Sequence, residues 1–493
     1  MRSGRLAASA LAGALLVAGC TPTTPEPSRS PSPSAAPRPF TVMTTQPPER
    51  FDPAAASTAA DAIVALNAFS RLMVVHPEGA DLKPDLARDC LYTSATTYQC
   101  DLPPGLTFHN GHPLTASDVK FSIERAYRLS VPDTSIRLFD SLEKVEIVDD
   151  LTVSFVLKYA DTQFGYALAT PAAAIVDEEI YDPDALRPNE AEVVGSGPYS
   201  LVTTASDHLV FERFTDYTGA LTGEIDTIKL EFIPDSAAAE QAMSDGTTDV
   251  VWRSLTPAAL ERVSAEMNAN NGATTAGFTR AWMPPVRMQR LVFEASSPHR
   301  EDASVRAAVA AALQGDRSVA SVVPPSVAGS VASFPVGGSA EVPSLGGQRL
   351  RLTLSYSTRS PGQRDLASLL RDRLEERAGM SVQLVPDAAG ADLRLTDEPA
   401  WVNTAFGWLQ AYVDHALPGS QEKLSDLLHR ARETGDADTR QALLAEIQQQ
   451  AAVDLTLLPH SLGGETLLLG PGTSLQGQPF GPAWQLGLWS LRK

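Results

Sequence analysis

Residues 105–122 read GLTFHNGHPLTASDVKFS, and the local chemistry of this stretch predicts a tight turn followed by a helix. Asn110-Gly111 is a tight-turn signal. Thr115 can cap the first turn of a helix, and Asp118 stands three residues later, where its carboxylate can accept a hydrogen bond from the backbone of Thr115. The apolar residues that follow share one helical face: Val119, Ile123, Ala126 and Tyr127.

Outward from this stretch, segments typical of strands alternate with segments typical of helices. Residues 143–158 predict two strands joined by a turn. A strand over 350–356, a helix over 364–378 and a strand over 380–385 follow one another, with Gly379 ending the helix. Strand, helix and strand in this order predict a right-handed βαβ unit with parallel strands. Two further segments have the apolar spacing of helices: residues 421–434 and 437–453. The fold class is therefore α/β with antiparallel additions.

The stretch 105–122 closely resembles the signature of family 5 extracellular solute-binding proteins, the receptor subunits of peptide, dipeptide and nickel ABC importers. Other segments resemble motifs of the family and occur in its order: Phe51-Asp52-Pro53, residues 195–199, Asp216-Tyr217, residues 245–250 and residues 305–308. Two motifs depart from the family pattern, at residues 293–295 and 316–317. The chain is also short after residue 390, where peptide-binding relatives carry an acidic segment that meets the amino terminus of the ligand.

The resemblance implies an α/β, periplasmic-binding-protein-like class II (cluster C) fold with two lobes and an additional inserted subdomain. The implied boundaries are lobe one at residues 40–60, 190–275 and 465–493, its inserted subdomain at 61–189, and lobe two at 276–464. In such proteins a solute binds between the lobes, and hinge closure presents the complex to a permease that works with an ATPase. No bond is made or broken, so the resemblance implies neither an enzyme nor a cofactor.

The N-terminal segment predicts an exported, lipid-anchored protein. Residues 1–19 place two arginines before an apolar run that is too short to span a bilayer, which is typical of a signal peptide. The end of this run and Cys20 resemble a bacterial lipobox, in which the cysteine is lipidated; an ordinary secretory signal is the alternative. Residues 20–39 are rich in proline and serine and predict an extended tether. We therefore expect the protein at the outer face of the bacterial cytoplasmic membrane, held by its N-terminal lipid.

Composition argues against a nucleic-acid partner. The 493 residues contain 39 Lys and Arg against 59 Asp and Glu, which gives a formal net charge of −20, whereas phosphate contacts need clustered basic residues. Two of the three cysteines remain when Cys20 is lipidated. Cys90 and Cys100 flank two β-prone runs around a turn, and in an oxidising compartment we expect them to form a structural disulfide.

Motifs of common catalytic sites are absent from the sequence, which contains no His-Glu-x-x-His, no Gly-x-Ser-x-Gly and no Walker-type phosphate loop. His109 and His112 could suggest a metal site. They lie across the turn at Asn110-Gly111, however, and match the family signature, so we expect a structural role. We predict no catalytic residue and no metal site.

Aromatic and cationic side chains near the implied lobe junctions are the candidates for the ligand site. Aromatic rings stack on peptide bonds or apolar groups, and an arginine can bind a carboxylate through two hydrogen bonds. For each tryptophan, packing in a core is the competing interpretation. The candidates are Trp252, Arg253, Arg287, Trp401, Phe406, Trp408 and Tyr412.

Three classes of function stay open on the sequence. The first is a monomeric receptor that captures oligopeptides for an ABC importer. The second is the same fold used for a non-peptide solute, such as a metal chelate, a glycan or an opine-like compound, and the missing acidic segment after residue 390 favours it. The third is a lipoprotein that has lost transport and serves as a scaffold, for which the altered motifs at 293–295 and 316–317 are the support.

Overall fold

The computed structural model describes residues 38–75, 81–281, 287–347, 349–463, 467–477, 480–482 and 484–493. The predicted signal peptide, Cys20 and nearly all of the tether lie outside the described residues. The described strands are β1 Phe40–Thr44, β2 Met73–Val75, β3 Leu82–Pro84, β4 Asp89–Ser94, β5 Thr97–Asp101, β6 Leu142–Asp149, β7 Thr152–Leu157, β8 Tyr199–Thr204, β9 His208–Arg213, β10 Thr227–Phe232, β11 Val250–Trp252, β12 Thr279–Ala281, β13 Arg287–Phe293, β14 Arg351–Tyr356, β15 Ser381–Pro386, β16 Leu393–Glu398, β17 Leu457–Gly463, β18 Leu467–Leu469, β19 Ser474–Leu475 and β20 Leu491–Arg492.

The described α-helices are α1 Ala59–Ala68, α2 Ala116–Leu129, α3 Phe164–Ala167, α4 Ser236–Asp245, α5 Pro257–Ala269, α6 Ala303–Leu313, α7 Gln363–Ala378, α8 Ala405–Asp414, α9 Gln421–Glu433 and α10 Ala437–Asp454. No helix in the described part of the chain is long and apolar enough to cross a membrane.

The first lobe is organised around a seven-stranded mixed sheet with the order β12-β18-β11-β1-β10-β9-β8. The central strand β1 pairs in parallel with β10 and β11, and the outer pairs are antiparallel. Because β12 belongs to this sheet, the chain leaves the first lobe after Ala281, later than the implied boundary at residue 276. The chain returns to the same sheet at β18.

The segment between β1 and β8 contains the subdomain, with a four-stranded antiparallel sheet in the order β4-β5-β7-β6. Helix α2 begins with the capping box that the sequence indicates, and the backbone nitrogen of Thr115 donates to Asp118 over 2.9 Å. A disulfide joins Cys90 of β4 to Cys100 of β5. One continuous hydrophobic core lies under this sheet and the seven-stranded sheet, so the subdomain is an extension of the first lobe.

The second lobe has a five-stranded sheet in the order β15-β14-β16-β13-β17 and a hydrophobic core of its own. The unit β14-α7-β15 is the predicted βαβ unit, and its strands pair in parallel. Gly379 ends α7 in the left-handed conformation, with φ of 63°, which costs glycine little because it has no Cβ. Helices α8, α9 and α10 pack against each other beside the sheet, and α8 carries part of the cleft described below.

Candidate functional site

Two adjoining cavities lie between the lobes. The larger has a volume of about 500 Å³ and the smaller of about 320 Å³. Each is lined by segments of both lobes, and the residues common to the two linings are Thr58, Ala59, Arg394 and Thr396. The cavities are therefore neighbouring parts of one cleft, and their volumes fall in the range in which proteins bind small ligands.

The first-lobe wall depends on the loop that precedes α1. Asp61, in the first turn of α1, accepts hydrogen bonds from the backbone nitrogens of Glu49 over 2.7 Å and of Arg50 over 2.9 Å. It also completes a capping box with Thr58. This one buried carboxylate ties the loop to the start of the helix, and so holds Thr58 where the two cavities meet.

One face of α8 forms part of the second-lobe wall. Four of its cavity-lining residues recur at helical spacing: Gly407, Gln410, Ala411 and Asp414. A Cβ atom at Gly407 would lie 2.0 Å from the carbonyl oxygen of Val402, so only glycine permits this close approach at the start of the helix. Burial raises the pKa of Asp414, which accepts a hydrogen bond from Gln410 over 2.8 Å. This face offers a ligand a carboxyl group beside an amide.

Arginines outnumber carboxylates in the lining of the larger cavity. Its charged residues are Arg137, Arg290, Arg300, Arg394, Asp133 and Asp414. The guanidinium of Arg290 lies over the ring of Trp408, 5.6 Å from the ring centroid, and Arg394 pairs with Glu294. The cavity is therefore cationic on balance, with carboxyl groups in the same lining.

Two ion pairs frame the smaller cavity. Asp397 lines it and pairs with Arg287. Glu49 of the first lobe pairs with Arg359 of the second, so this contact joins the two lobes. Arg253 also lines the smaller cavity, and its guanidinium lies 4.6 Å from the ring centroid of its neighbour Trp252.

The lobes also contact each other beside the larger cavity. Asp161 of the subdomain forms an ion pair of 3.2 Å with Arg432 in the last turn of α9, and the two side chains are 0% and 3% exposed. The backbone nitrogen and the hydroxyl of Thr162 both donate to the carbonyl of Arg432 over 3.0 Å. Arg432 donates in turn to Gln410 over 2.8 Å. This interlobe contact therefore reaches the wall of the larger cavity.

The structure places three of the seven candidate ligand residues on the cleft. Trp401 and Tyr412 line the larger cavity, and Arg253 lines the smaller one. The hydroxyl of Tyr412 is already bound to Asp454 over 2.7 Å, so its ring is the part available to a solute. Arg287 lies behind the smaller cavity, where it pairs with the lining carboxylate of Asp397.

The remaining candidates lie in the cores. Trp252 is fully buried in the first-lobe core, and Phe406 and Trp408 are buried in the second-lobe core. Trp252 and Trp408 still contribute to the cleft, because each packs under an arginine that lines it. Core packing was the competing interpretation for these tryptophans, and both are buried in a hydrophobic core.

The cleft also contains residues that the sequence reasoning missed: Thr58, Asp133, Arg137, Arg290, Arg300, Arg359, Arg394 and Asp414. A signal existed for α8, since Gly407, Gln410 and Asp414 stand at helical spacing and are small or polar within an otherwise apolar segment. Arg300 had no such signal, because its place in the wall depends on the path of the loop before α6.

The two histidines of the opening stretch contact different partners. The Nε2 of His109 donates to the carbonyl of Gly197 over 3.0 Å, and the Nδ1 of His112 lies 2.7 Å from a carboxylate oxygen of Asp177. Burial lowers the pKa of His109 to about 4, so its ring is neutral at pH 7. Over the described ranges, no group of three or more His, Cys, Asp and Glu side chains is arranged to hold a metal ion. These contacts attach the turn between the histidines to neighbouring loops.

A comparison with protein families matches residues 81–416 to the family described as "Bacterial extracellular solute-binding proteins, family 5 Middle". Among curated proteins, the glutathione-binding protein GsiB of Pectobacterium atrosepticum is 34% identical over 164 residues, which are 32% of this chain and 30% of GsiB. The match thus spans less than a third of the length of that relative.

Two solved structures are similar in fold at low sequence identity. The dipeptide binding protein from Pseudoalteromonas sp. SM9913, in complex with Met-Leu, has a TM-score of 0.76 at 18% identity and covers 92% of this chain and 100% of its own. The binding protein AgaA from A. tumefacien R10, in complex with agropinic acid, has a TM-score of 0.79 at 18% identity and covers 92% and 98%. These likenesses confirm the predicted two-lobed α/β fold.

The matched family and the two solved structures are those of binding proteins, which agrees with the prediction that the chain is not an enzyme. The family match covers well over half of the chain and includes the opening stretch and most of the cleft-lining residues of the second lobe. The chain belongs to the bacterial extracellular solute-binding proteins of family 5.

Proposed function

We propose that this protein is the receptor of an ABC importer, captures short peptides between its lobes as a monomer, and delivers them to a permease that works with an ATPase. The observation that carries the proposal is the interlobe cavity of about 500 Å³ with both guanidinium and carboxyl groups in its lining. A peptide has an ammonium group at one end and a carboxylate at the other, and this lining offers each a group of opposite charge. The name of GsiB and the Met-Leu bound to the Pseudoalteromonas protein support a peptide solute.

Closure of the lobes would signal to the permease that a solute is bound. The contacts of Asp161 with Arg432 and of Glu49 with Arg359 join the two lobes, and hinge opening would separate each pair. A solute that contacts both walls of the cleft binds the closed arrangement more tightly than the open one. It shifts the equilibrium towards closure by this difference in binding free energy. The permease would then recognise the closed, loaded receptor.

Native mass spectrometry of protein purified from its host tests the peptide proposal. We expect a ladder of bound masses that fragment into short peptides, because contacts to peptide ends and backbone tolerate many side chains. A single discrete adduct of another compound class would contradict the peptide proposal. An empty cleft that no member of a peptide library stabilises against heat would contradict it as well.

A non-peptide carboxylic acid is the second candidate solute. The observation that favours it is that AgaA, which shares the fold, holds agropinic acid. The excess of arginines in the larger cavity suits such an anion. The single discrete adduct named above is the result that this candidate predicts.

We further propose that Cys20 carries the lipid that holds the receptor at the outer face of the cytoplasmic membrane, with residues 20–39 as the tether. The lipobox-like end of the signal segment supports this proposal. Two acyl chains hold a protein firmly to a bilayer, whereas an unlipidated tether has no apolar run to insert. We therefore expect Cys20→Ala to move the protein from the membrane fraction to the soluble fraction. Retention of the variant in membranes would contradict the anchor.

A further inference from the structure

One arginine in the lining of the larger cavity is buried and has no anionic partner among the described residues. Arg300, on the loop before α6, is 7% exposed and lines the cavity. Its guanidinium donates to the backbone carbonyl of His415, and its Nε has no hydrogen-bond partner within the part of the chain that the structure describes. Across the described portion of the chain, no carboxylate lies within ion-pair distance of it.

This arrangement distinguishes Arg300 from two other arginines of the same lining. Arg394 has Glu294 as its partner, and Arg290 lies over the ring of Trp408. Burial of a charge without a counter-ion destabilises the folded chain, and an unsatisfied donor adds to that destabilisation. An anion in the cavity would supply the counter-ion that Arg300 lacks among the described residues.

The backbone around Arg300 is held firmly in place. The guanidinium of Arg306, in α6, donates to the carbonyl of Arg300 over 2.5 Å and to the carbonyl of Asp454 over 2.6 Å. The loop before α6 is thereby tied to the end of α10. Because these hydrogen bonds hold the loop in place, Arg300 can bind a ligand at a reduced entropic cost.

We propose that Arg300 binds a carboxylate of the solute in the larger cavity. This inference rests on the proposed solute-binding function and adds the chemical group that is recognised. The guanidinium presents parallel N–H donors whose spacing matches the two oxygens of a carboxylate. The carboxyl terminus of a peptide and the carboxylate of a non-peptide acid share this chemistry, and the experiment below separates the two sources.

The test uses calorimetric titration of the full chain with two sets of probes. The first set is a mixture of tripeptides with a free carboxyl terminus, matched by the same peptides as C-terminal amides. The second set is a panel of sugar acids and N-carboxyalkyl amino acids, matched by their amides. We expect the protein to prefer the free acids by about tenfold or more, as a charge-assisted hydrogen bond predicts.

Variants test whether Arg300 causes this preference for the free acids. In Arg300→Gln we expect the ratio of acid to amide affinity to fall to about one, and in Arg300→Lys we expect part of the preference to remain, since the charge is kept while the paired donors are lost. Arg262→Gln removes an exposed arginine that pairs with Glu240 on the surface, and it should keep the wild-type ratio. Circular dichroism checks that each variant is folded. If Arg300→Gln does not fold, the inference is judged from the ratio of acid to amide affinity in the wild type and in Arg300→Lys.

The outcomes separate this inference from the proposed function. Peptides that bind equally well as acids and amides, or a preference that survives in Arg300→Gln, would overturn the inference and leave the peptide function intact. Non-peptide acids that bind through Arg300 while peptides do not bind would support the inference and contradict the peptide function. Binding of no probe from either set contradicts both.

Discussion

His109 links the stability of the fold to pH. Its Nε2 donates to the carbonyl of Gly197, and its ring packs edge-on against Phe214 with the centroids 4.8 Å apart. Burial lowers its pKa to about 4, whereas a histidine in an unfolded chain titrates near pH 6.5. The neutral ring therefore contributes stability that is fully present above about pH 6.5 and is lost as the pH falls through about 4.

The substitution His109→Gln isolates this contribution. A glutamine amide can still donate to Gly197 but does not titrate. Between pH 6.5 and pH 4, we expect protonation linked to His109 to lower the free energy of unfolding of the wild type by up to about 3 kcal/mol. We expect no such decrease in the variant, because glutamine does not titrate. Urea unfolding at pH 7, 5.5 and 4 measures the difference. An identical pH dependence in both proteins would show that the ring does not carry the effect.

At the scale of single elements, the sequence was informative wherever the decisive interactions are local. The capping box of α2 joins Thr115 to Asp118 within one helical turn, and Gly379 ends α7 where it stands in the sequence. The order of strand, helix and strand around α7 was enough to predict parallel pairing, which β14 and β15 show. Each of these predictions depends on residues that are neighbours in the chain.

Strand β13 shows where such reasoning stops. Arg287 and Arg290 lie on the same strand, and the sequence reasoning selected Arg287 for the ligand site. The two residues are three positions apart, so the alternation of the strand places their side chains on opposite faces of the sheet. Arg290 lines the larger cavity, whereas Arg287 pairs behind the smaller one. Which face of β13 borders the larger cavity depends on how the two lobes pack, so the alternation of β13 alone does not reveal it.

Helix α8 gives the same lesson for aromatic residues. The sequence reasoning selected its large rings, since aromatic groups contribute much to binding energy. Phe406 and Trp408 are buried in the second-lobe core instead, and Gly407, Gln410 and Asp414 line the cavity. A helix packed on a core turns its largest apolar side chains inward, so small and polar residues of α8 line the cavity together with the ring of Tyr412.

For the molecule as a whole, the contact between Asp161 and Arg432 ties solute binding to lobe closure. The pair is buried at the interface of the subdomain and the second lobe. Asp161 also accepts hydrogen bonds from the hydroxyl of Ser141 over 2.7 Å and the backbone of Gln163 over 2.8 Å. Arg432 is bound to Gln410 in the cavity wall. A solute that contacts Gln410 therefore acts on the same group that holds the lobes together.

Arg432→Met tests this coupling, because it leaves the carboxylate of Asp161 without its cation. Loss of one partner of a buried ion pair costs roughly 3–5 kcal/mol, and lobe opening would return Asp161 to water and relieve much of that cost. We expect the variant to be more open, with a larger radius of gyration in X-ray scattering and an affinity for the tripeptide mixture at least about tenfold weaker.

Two further variants decide whether the buried pair is the cause. Arg430→Met removes an exposed arginine of the same helix, which pairs with Asp426 on the surface, and we expect it to match the wild type because exposed pairs contribute little. Asp161→Asn combined with Arg432→Met removes both charges, and we expect it to recover much of the closed population since no uncompensated charge stays buried. A double variant as open as Arg432→Met, or an Arg432→Met protein as closed as the wild type, would mean that closure is held by other contacts, such as the pair of Glu49 and Arg359 beside the smaller cavity.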